Sequence, residues 1–155
     1  MPVIKALALD LDGVLTDGAF YWGSDGSEAK RFSFRDVMGI SRATRRGMQF
    51  ALITGEANSL VDRYAAKMGI THVWQGCRDK AAALREFAMA VELPLSEIGF
   101  IGDDVNDIGA MRIAGWSAAP ADAHAAARAA ATRVTQRPGG NGAVREALDE
   151  LIPDL

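Results

Sequence analysis

Cysteine is almost absent: Cys77 is the only one in 155 residues. No intramolecular disulfide can form, and a reducing, cytoplasmic setting is the expected one. Long apolar runs are missing too. None approaches the ~20 residues of a membrane span, and near the start Lys5 interrupts an apolar stretch already too short for a secretory leader. Nor is there an excess of positive charge. Lys and Arg number 17 against 20 Asp and Glu, a net charge of −3, which leaves no electrostatic footprint for nucleic acid or an anionic membrane. Hydrophobic residues at 49% and charged residues at 24% suit a packed core rather than disorder. One domain over residues 1–155 is expected, without internal repeats and without a nucleic-acid or membrane partner.

What the chain does have is a rhythm. Short apolar runs alternate with segments of helical period, the pattern of parallel strands joined by crossover helices. Residues 3–9, 49–53 and 98–101 read as buried strands closed by polar turns, and 71–74, 116–118 and 132–135 as weaker strand candidates. Leu60, Val61, Tyr64, Ala65 and Met68 form one helical stripe; Leu84, Phe87, Ala88 and Val91 form another. Further helices are expected after Asp36, after Asp107 and after the Gly-rich loop 138–142. The Ala-rich stretch 121–131 predicts a short packed helix, alanine being the best helix former. Residues 19–22 and 30–34, aromatic and alternating around a turn-rich 23–27, predict a β-hairpin inserted after the first strand.

In an open α/β sheet the site lies beyond the carboxyl ends of the strands. Three such ends are polar here: Asp10-Leu11-Asp12-Gly13, Thr54-Gly55-Glu56, and Gly102-Asp103-Asp104-Val105-Asn106-Asp107. If those strands are neighbours, Asp10, Asp12, Asp103, Asp104 and Asp107 converge, and unpaired carboxylates repel unless a cation neutralises them. Hard oxygen donors with room for water and phosphate select Mg²⁺. Taken singly, these features are ordinary. Asp-Gly pairs form turns, Thr54 and Asp107 can cap helices, and Lys80 can be a solvated lysine, although a cation opening a helix opposes its dipole. His72 and His124 stand alone, Cys77 lacks a neighbouring His or basic pair to activate it, and Arg45-Arg46 reads as a solvated helix end. The order of the set carries the weight: Asp-x-Asp-Gly, then Thr-Gly, then Lys80 opening a helix, then Gly-Asp-Asp-x-x-Asp.

That ordered set resembles the haloacid dehalogenase superfamily of phosphatases over nearly the whole chain. The opening Leu9-Asp10-Leu11-Asp12-Gly13-Val14-Leu15-Thr16-Asp17-Gly18, the hairpin after it, Gln75-Gly76 ahead of Lys80, and the Gly139-Gly140-Asn141-Gly142-Ala143-Val144-Arg145-Glu146 run are similar to the capless branch that acts on 3-deoxy-2-keto sugar acid phosphates. The resemblance implies a three-layer Rossmannoid fold with a mainly parallel sheet, a hairpin flap and no cap domain. It implies Mg²⁺-dependent hydrolysis through an aspartyl-phosphate on Asp10, with Asp12 as general acid and base. The metal would be held by Asp10, the backbone carbonyl of Asp12 and Asp103, with Asp104 and Asp107 orienting its surroundings. Thr54, Lys80 and N–H groups near Leu11 and Gly55 would hold the phosphoryl oxygens. A homotetramer is also implied, a neighbouring subunit and the hairpin covering the open site, with Phe20, Tyr21, Trp22, Phe32 and Phe34 as apolar surface.

One departure bears on the substrate. The octulosonate branch typically carries Arg after the Thr-Gly turn, where this chain has Glu56, an anion in place of a cation able to grip a carboxylate. Glu at this turn with a lysine on the next helix resembles the nonulosonate 9-phosphate phosphatases, and Lys67 stands on that helix. A nonulosonate 9-phosphate (KDN or N-acylneuraminate) is therefore the expected substrate, and 3-deoxy-D-manno-octulosonate 8-phosphate the alternative. Receiver domains of signalling proteins also combine Asp, Thr, Lys and Mg²⁺ in a doubly wound fold, but their acceptor Asp lies on a middle strand. A non-catalytic assembly partner of a sugar-activating enzyme is a third reading, and the full acidic set speaks against it.

Overall fold

The computed structural model describes residues 1–155. Its centre is β1 (Ala6–Leu9), buried on both faces. Because side chains alternate along a strand, Leu7 and Leu9 enter one apolar cluster and Ala6 and Ala8 the other. That two-sided burial is why the segment is apolar throughout. β4 (Gln49–Ile53) lies parallel on one side, with Leu9 opposite Leu52, and β6 (Ile98–Ile101) on the other, with Leu9 opposite Ile101. β5 (His72–Trp74) extends the sheet beyond β4, and β7 (Trp116–Ala119) and β8 (Arg133–Val134) extend it beyond β6. All the pairings in this sheet of six strands are parallel, in the order β5-β4-β1-β6-β7-β8.

Helices α1 (Phe34–Arg45), α2 (Ser59–Met68) and α6 (Ala143–Leu151) pack Ile40, Val61, Tyr64 and Leu148 onto the leucine face of β1. Helices α3 (Lys80–Ala90), α4 (Ile108–Ile113) and α5 (Ala125–Ala130) cover the opposite face, where the small Ala6 and Ala8 share a cluster with Phe87 and Phe100. This is the three-layer α/β fold expected from the sequence. The chain steps outward from β1 to β4 and β5, then crosses to β6 and steps outward again, so the strand order reverses beside β1. A crevice opens above the carboxyl ends at such a point.

The structure differs from the expected elements in detail. The first strand begins at Ala6 rather than residue 3, because Val3 is exposed. The Ala-rich helix shrinks to α5, capped by His124, whose Nδ1 accepts the Ala126 N–H. The hairpin forms, but only beside its turn: β2 (Tyr21–Trp22) pairs antiparallel with β3 (Glu28–Ala29), closed by the Gly23 N–H on the Ser27 carbonyl. Residues 30–34 are not its second arm. Phe32 stacks on Tyr64 at 4.4 Å and bridges Thr16 instead, which draws the chain off the ladder and starts α1 at Phe34. Asp36 therefore lies inside the first turn of α1, not ahead of it.

That position gives Asp36 a task. Helix α6 opens at Gly142, which has no side chain to cap it. Asp36 reaches across from α1 and accepts the Arg145 N–H on Oδ1 at 2.9 Å and the Gly142 N–H on Oδ2 at 3.3 Å. Burial pushes its carboxyl above the ordinary range, and the N–H groups oppose that. Replacing Asp36 by Ala strands helix N–H groups in a buried place, and the expected loss is about 1–3 kcal/mol. Urea unfolding checks it: the midpoint should fall with an unchanged m value.

Candidate active site

The Asp10 N–H donates to the Ile101 carbonyl at 3.0 Å, carrying the β1–β6 pairing one residue past the strand. The following loop is knotted by one buried hydroxyl. Thr16 Oγ1 accepts the N–H groups of Gly13 (3.3 Å) and Gly18 (3.1 Å) and donates to Asp12 Oδ1 at 3.1 Å. Gly13 adopts φ +82°, and a Cβ there would fall 1.8 Å from Asp103 Oδ2, so glycine lets the loop after β6 close on the loop after β1. The 138–142 loop locks the same turn from outside. Gly140 donates its N–H to the Val14 carbonyl at 2.9 Å, and a Cβ on Gly139 would fall 1.8 Å from the Gly13 oxygen.

Lys80 is the hub. It opens α3, whose cap is Asp79, and its ammonium lies 2.9 Å from Asp10 Oδ1 and 2.7 Å from Asp107 Oδ1, with the side chain 1% exposed. It is not the solvated lysine that a helix start would allow. Burial alone would push its pKa down, but the charges of Asp10 and Asp107 outweigh that and hold it above the ordinary value. Asp107 stands at the N-cap position of α4, but its side chain bonds no N–H of that helix; its Oδ2 accepts the N–H groups of Asp103 (2.9 Å) and Asp104 (3.2 Å), shaping the loop that presents Asp103. Asp104 caps the short turn after it by accepting the Val105 N–H, and is otherwise exposed.

Asp10, Asp103 and Asp107 each place a carboxylate oxygen within 4.8 Å of the others. Burial, and then the Asp107 charge, raise Asp10 to about 6 despite Lys80. Burial, and then the Asp10 charge, raise Asp103 to about 8. Two carboxyls that resist ionisation side by side are a fitting seat for a hard divalent cation. Asp107 has already committed both oxygens to Lys80 and the loop N–H groups, so Asp10 and Asp103 are the pair free to ligate it.

Asp10, Lys80, Asp103 and Asp104 line an open cleft of about 260 Å³ with no hydrophobic side chain in its wall; Asp12, Thr54, Gly55 and Glu56 complete it beside Asn106 and Gly18. Thr54 is buried and its hydroxyl accepts the Glu56 N–H at 3.1 Å, while the cap of α2 is Asn58, so Thr54 is not that helix's cap. Lys67 stands apart. The helix carries it about 12 Å along its axis from Ser59, and it lines a different cavity with Phe32, Phe34 and Tyr64. No ion pair joins it to Glu56. Of the two residues named for substrate choice, Glu56 lines the cleft and Lys67 does not. Conversely, Lys30 went unremarked in the sequence, and its ammonium bonds Asp12 Oδ1 at 2.7 Å. A lysine at the end of a short hairpin carries no pattern that would have announced this.

Residues 75–148 match the family model described as haloacid dehalogenase-like hydrolase. The chain is 40% identical over 149 residues to 3-deoxy-D-manno-octulosonate 8-phosphate phosphatase KdsC of Escherichia coli, covering 96% of this chain and 79% of the relative. Among solved structures it is similar to the 3-deoxy-D-manno-octulosonate 8-phosphate phosphatase of Moraxella catarrhalis in complex with magnesium ion, phosphate ion and KDO (TM-score 0.93, 37% identity, 97% of this chain and 86% of that one). It is equally close to the Yersinia pestis protein of the same name (TM-score 0.93, 39% identity, 97% and 81%).

Asp10 and Asp103 hold protons more tightly folded than unfolded. Without a cation, their contribution to stability is full below about pH 4 and is lost as the pH rises to about 8. A cation that takes the place of those protons reverses the trend. Mg²⁺ should therefore raise the thermal midpoint of the metal-stripped protein more at pH 8 than at pH 5.5, as scans with chelator and with Mg²⁺ at both values will measure. An equal gain at both would remove these two carboxylates from the ligand set.

Proposed function

The chain belongs to the haloacid dehalogenase-like hydrolases and is a phosphoric monoester hydrolase, and from that premise we propose that residues 1–155 act as one Mg²⁺-dependent domain hydrolysing a 2-keto-3-deoxy sugar acid phosphate. The observation that carries the reading is the buried Lys80 between Asp10 and Asp107, with Asp103 beside them at the carboxyl ends of β1 and β6. Asp10 attacks phosphorus as nucleophile while Asp12 protonates the departing sugar oxygen. Asp12 then takes a proton from the water that cleaves the aspartyl-phosphate, which frees phosphate and restores Asp10. Lys80 and the Thr54 hydroxyl hold phosphoryl oxygens, with the N–H groups near Leu11 and Gly55. Asp10, Asp103 and the Asp12 carbonyl would hold Mg²⁺, which when bound would supply positive charge against the phosphate; Asp107, and Asp104 more distantly, order the loop that carries Asp103.

For the sugar we adopt 3-deoxy-D-manno-octulosonate 8-phosphate, in place of the nine-carbon substrate that Glu56 suggested. The relatives above are named for the eight-carbon ester, and the Lys67 half of the nine-carbon pattern lies outside the cleft. Glu56 remains in the wall, where it accepts hydrogen bonds from sugar hydroxyls. Phosphate release from a panel of 2-keto-3-deoxy sugar acid phosphates should be fastest with the eight-carbon ester, and Asp10→Asn should abolish it on every member. Preference for a nine-carbon ester would restore the earlier expectation, and turnover by Asp10→Asn would end the covalent mechanism.

No helix is long and apolar enough to cross a membrane, and we place the enzyme in the cytoplasm. The open cleft and the exposed Phe20, Trp22 and Phe34 support a homotetramer in which copies bury one another's hairpins. Sedimentation of the active enzyme should give four chains; an active monomer would refute that assembly.

A further inference from the structure

Asp12 has two carboxylate oxygens in unlike settings. Oδ1 accepts from the Lys30 ammonium at 2.7 Å and from the Thr16 hydroxyl at 3.1 Å. Thr16 has no choice of direction: its oxygen already accepts two N–H groups, so its one hydrogen goes to Asp12. An ammonium can only donate. Oδ1 is thus filled by two donors that cannot accept, which leaves Oδ2 as the oxygen without a partner. That oxygen is enclosed within the protein. Such an orphan costs about 1–3 kcal/mol unless a bound molecule supplies the missing partner, and Asp12 lines the catalytic cleft.

Lys30 is built into this place. Its side chain is 1% exposed, Asp12 is its ion-pair partner, and the Phe20 ring lies 5.1 Å from its ammonium. The next residues anchor it: Arg31 donates to the Gly140 carbonyl at 3.0 Å, and Phe32 stacks on Tyr64. A buried ion pair contributes little net stability against an apolar replacement, so fold maintenance is a poor reason to hold a lysine there. We infer that Lys30 is a positioning residue for the reaction: it clamps Asp12 Oδ1 and so fixes the orientation of the carboxyl group that passes a proton to the leaving sugar oxygen. The inference rests on the phosphatase reading above and adds to it a residue supplied by the hairpin segment.

The test is a comparison of leaving groups. A sugar alkoxide needs a proton to depart; 4-nitrophenolate does not. The parameter kcat/KM reports the steps up to departure, and the ratio of its values for two esters on one sample is unaffected by any inactive fraction. Lys30→Met should lower kcat/KM for 3-deoxy-D-manno-octulosonate 8-phosphate by about 100-fold, in the range for a displaced general acid, and for 4-nitrophenyl phosphate at least tenfold less. Lys30→Arg, which keeps a donor at Oδ1, should recover much of the ratio. Equal losses on both esters, or none on either, with an active wild type would overturn the role of Lys30 alone. A wild type inert toward both esters would overturn the phosphatase reading and this inference together.

Discussion

Everything in the site hangs on the contact of Lys80 with Asp10 and Asp107. Taking ions out of water costs several kcal/mol each, while opposite charges at 4 Å return only about 4 kcal/mol at the dielectric typical of proteins. The contacts at 2.7 and 2.9 Å therefore do less for stability than for placement. They tie the first residue of α3 to the end of β1 and to the loop after β6. Asp107 passes the constraint on through its second oxygen, which gathers the N–H groups of Asp103 and Asp104. A carboxylate cluster that would otherwise push itself apart is thereby held open toward the cleft and closed toward the core.

The three central strands were legible because burial on both faces forces an unbroken apolar run, as in β1, β4 and β6. Polar turns following those runs then located Asp10, Thr54 and Asp103, since the sheet topology puts their ends side by side. Legibility failed where position depends on distances between elements. Nothing local distinguishes Asp36, which caps a helix more than a hundred positions away in the chain, from an ordinary first-turn aspartate. Lys67 looked available because sequence spacing says nothing about which end of a helix faces the cleft. Phe32 has strand-like neighbours, but a stack on Tyr64 outcompetes one more rung of a short hairpin.

The stretch that follows β3 ties together parts of the molecule far apart in sequence. Its consecutive residues Lys30, Arg31 and Phe32 reach the loop after β1, the 138–142 loop and the edge of the core. Lys30 bonds Asp12, which lines the cleft, and itself lines the separate cavity of Phe32, Phe34 and Lys67. Whatever fills that cavity touches the side chain that holds Asp12. One lysine side chain thus links that outer cavity to the loop after β1.

The glycine contact between the 138–142 loop and the loop after β1 has a temporal meaning. All the acidic groups of the site have been synthesised once Asp107 is joined, yet Gly139 and Gly140, which pack on Gly13, Val14 and Asp17, come some thirty residues later. A nascent chain halted between those points carries every ionisable group of the site but lacks the backbone that braces its first loop. The brace on the first loop thus comes from the far end of the chain, and the backbone contact that fixes the turn after β1 joins residues more than a hundred positions apart.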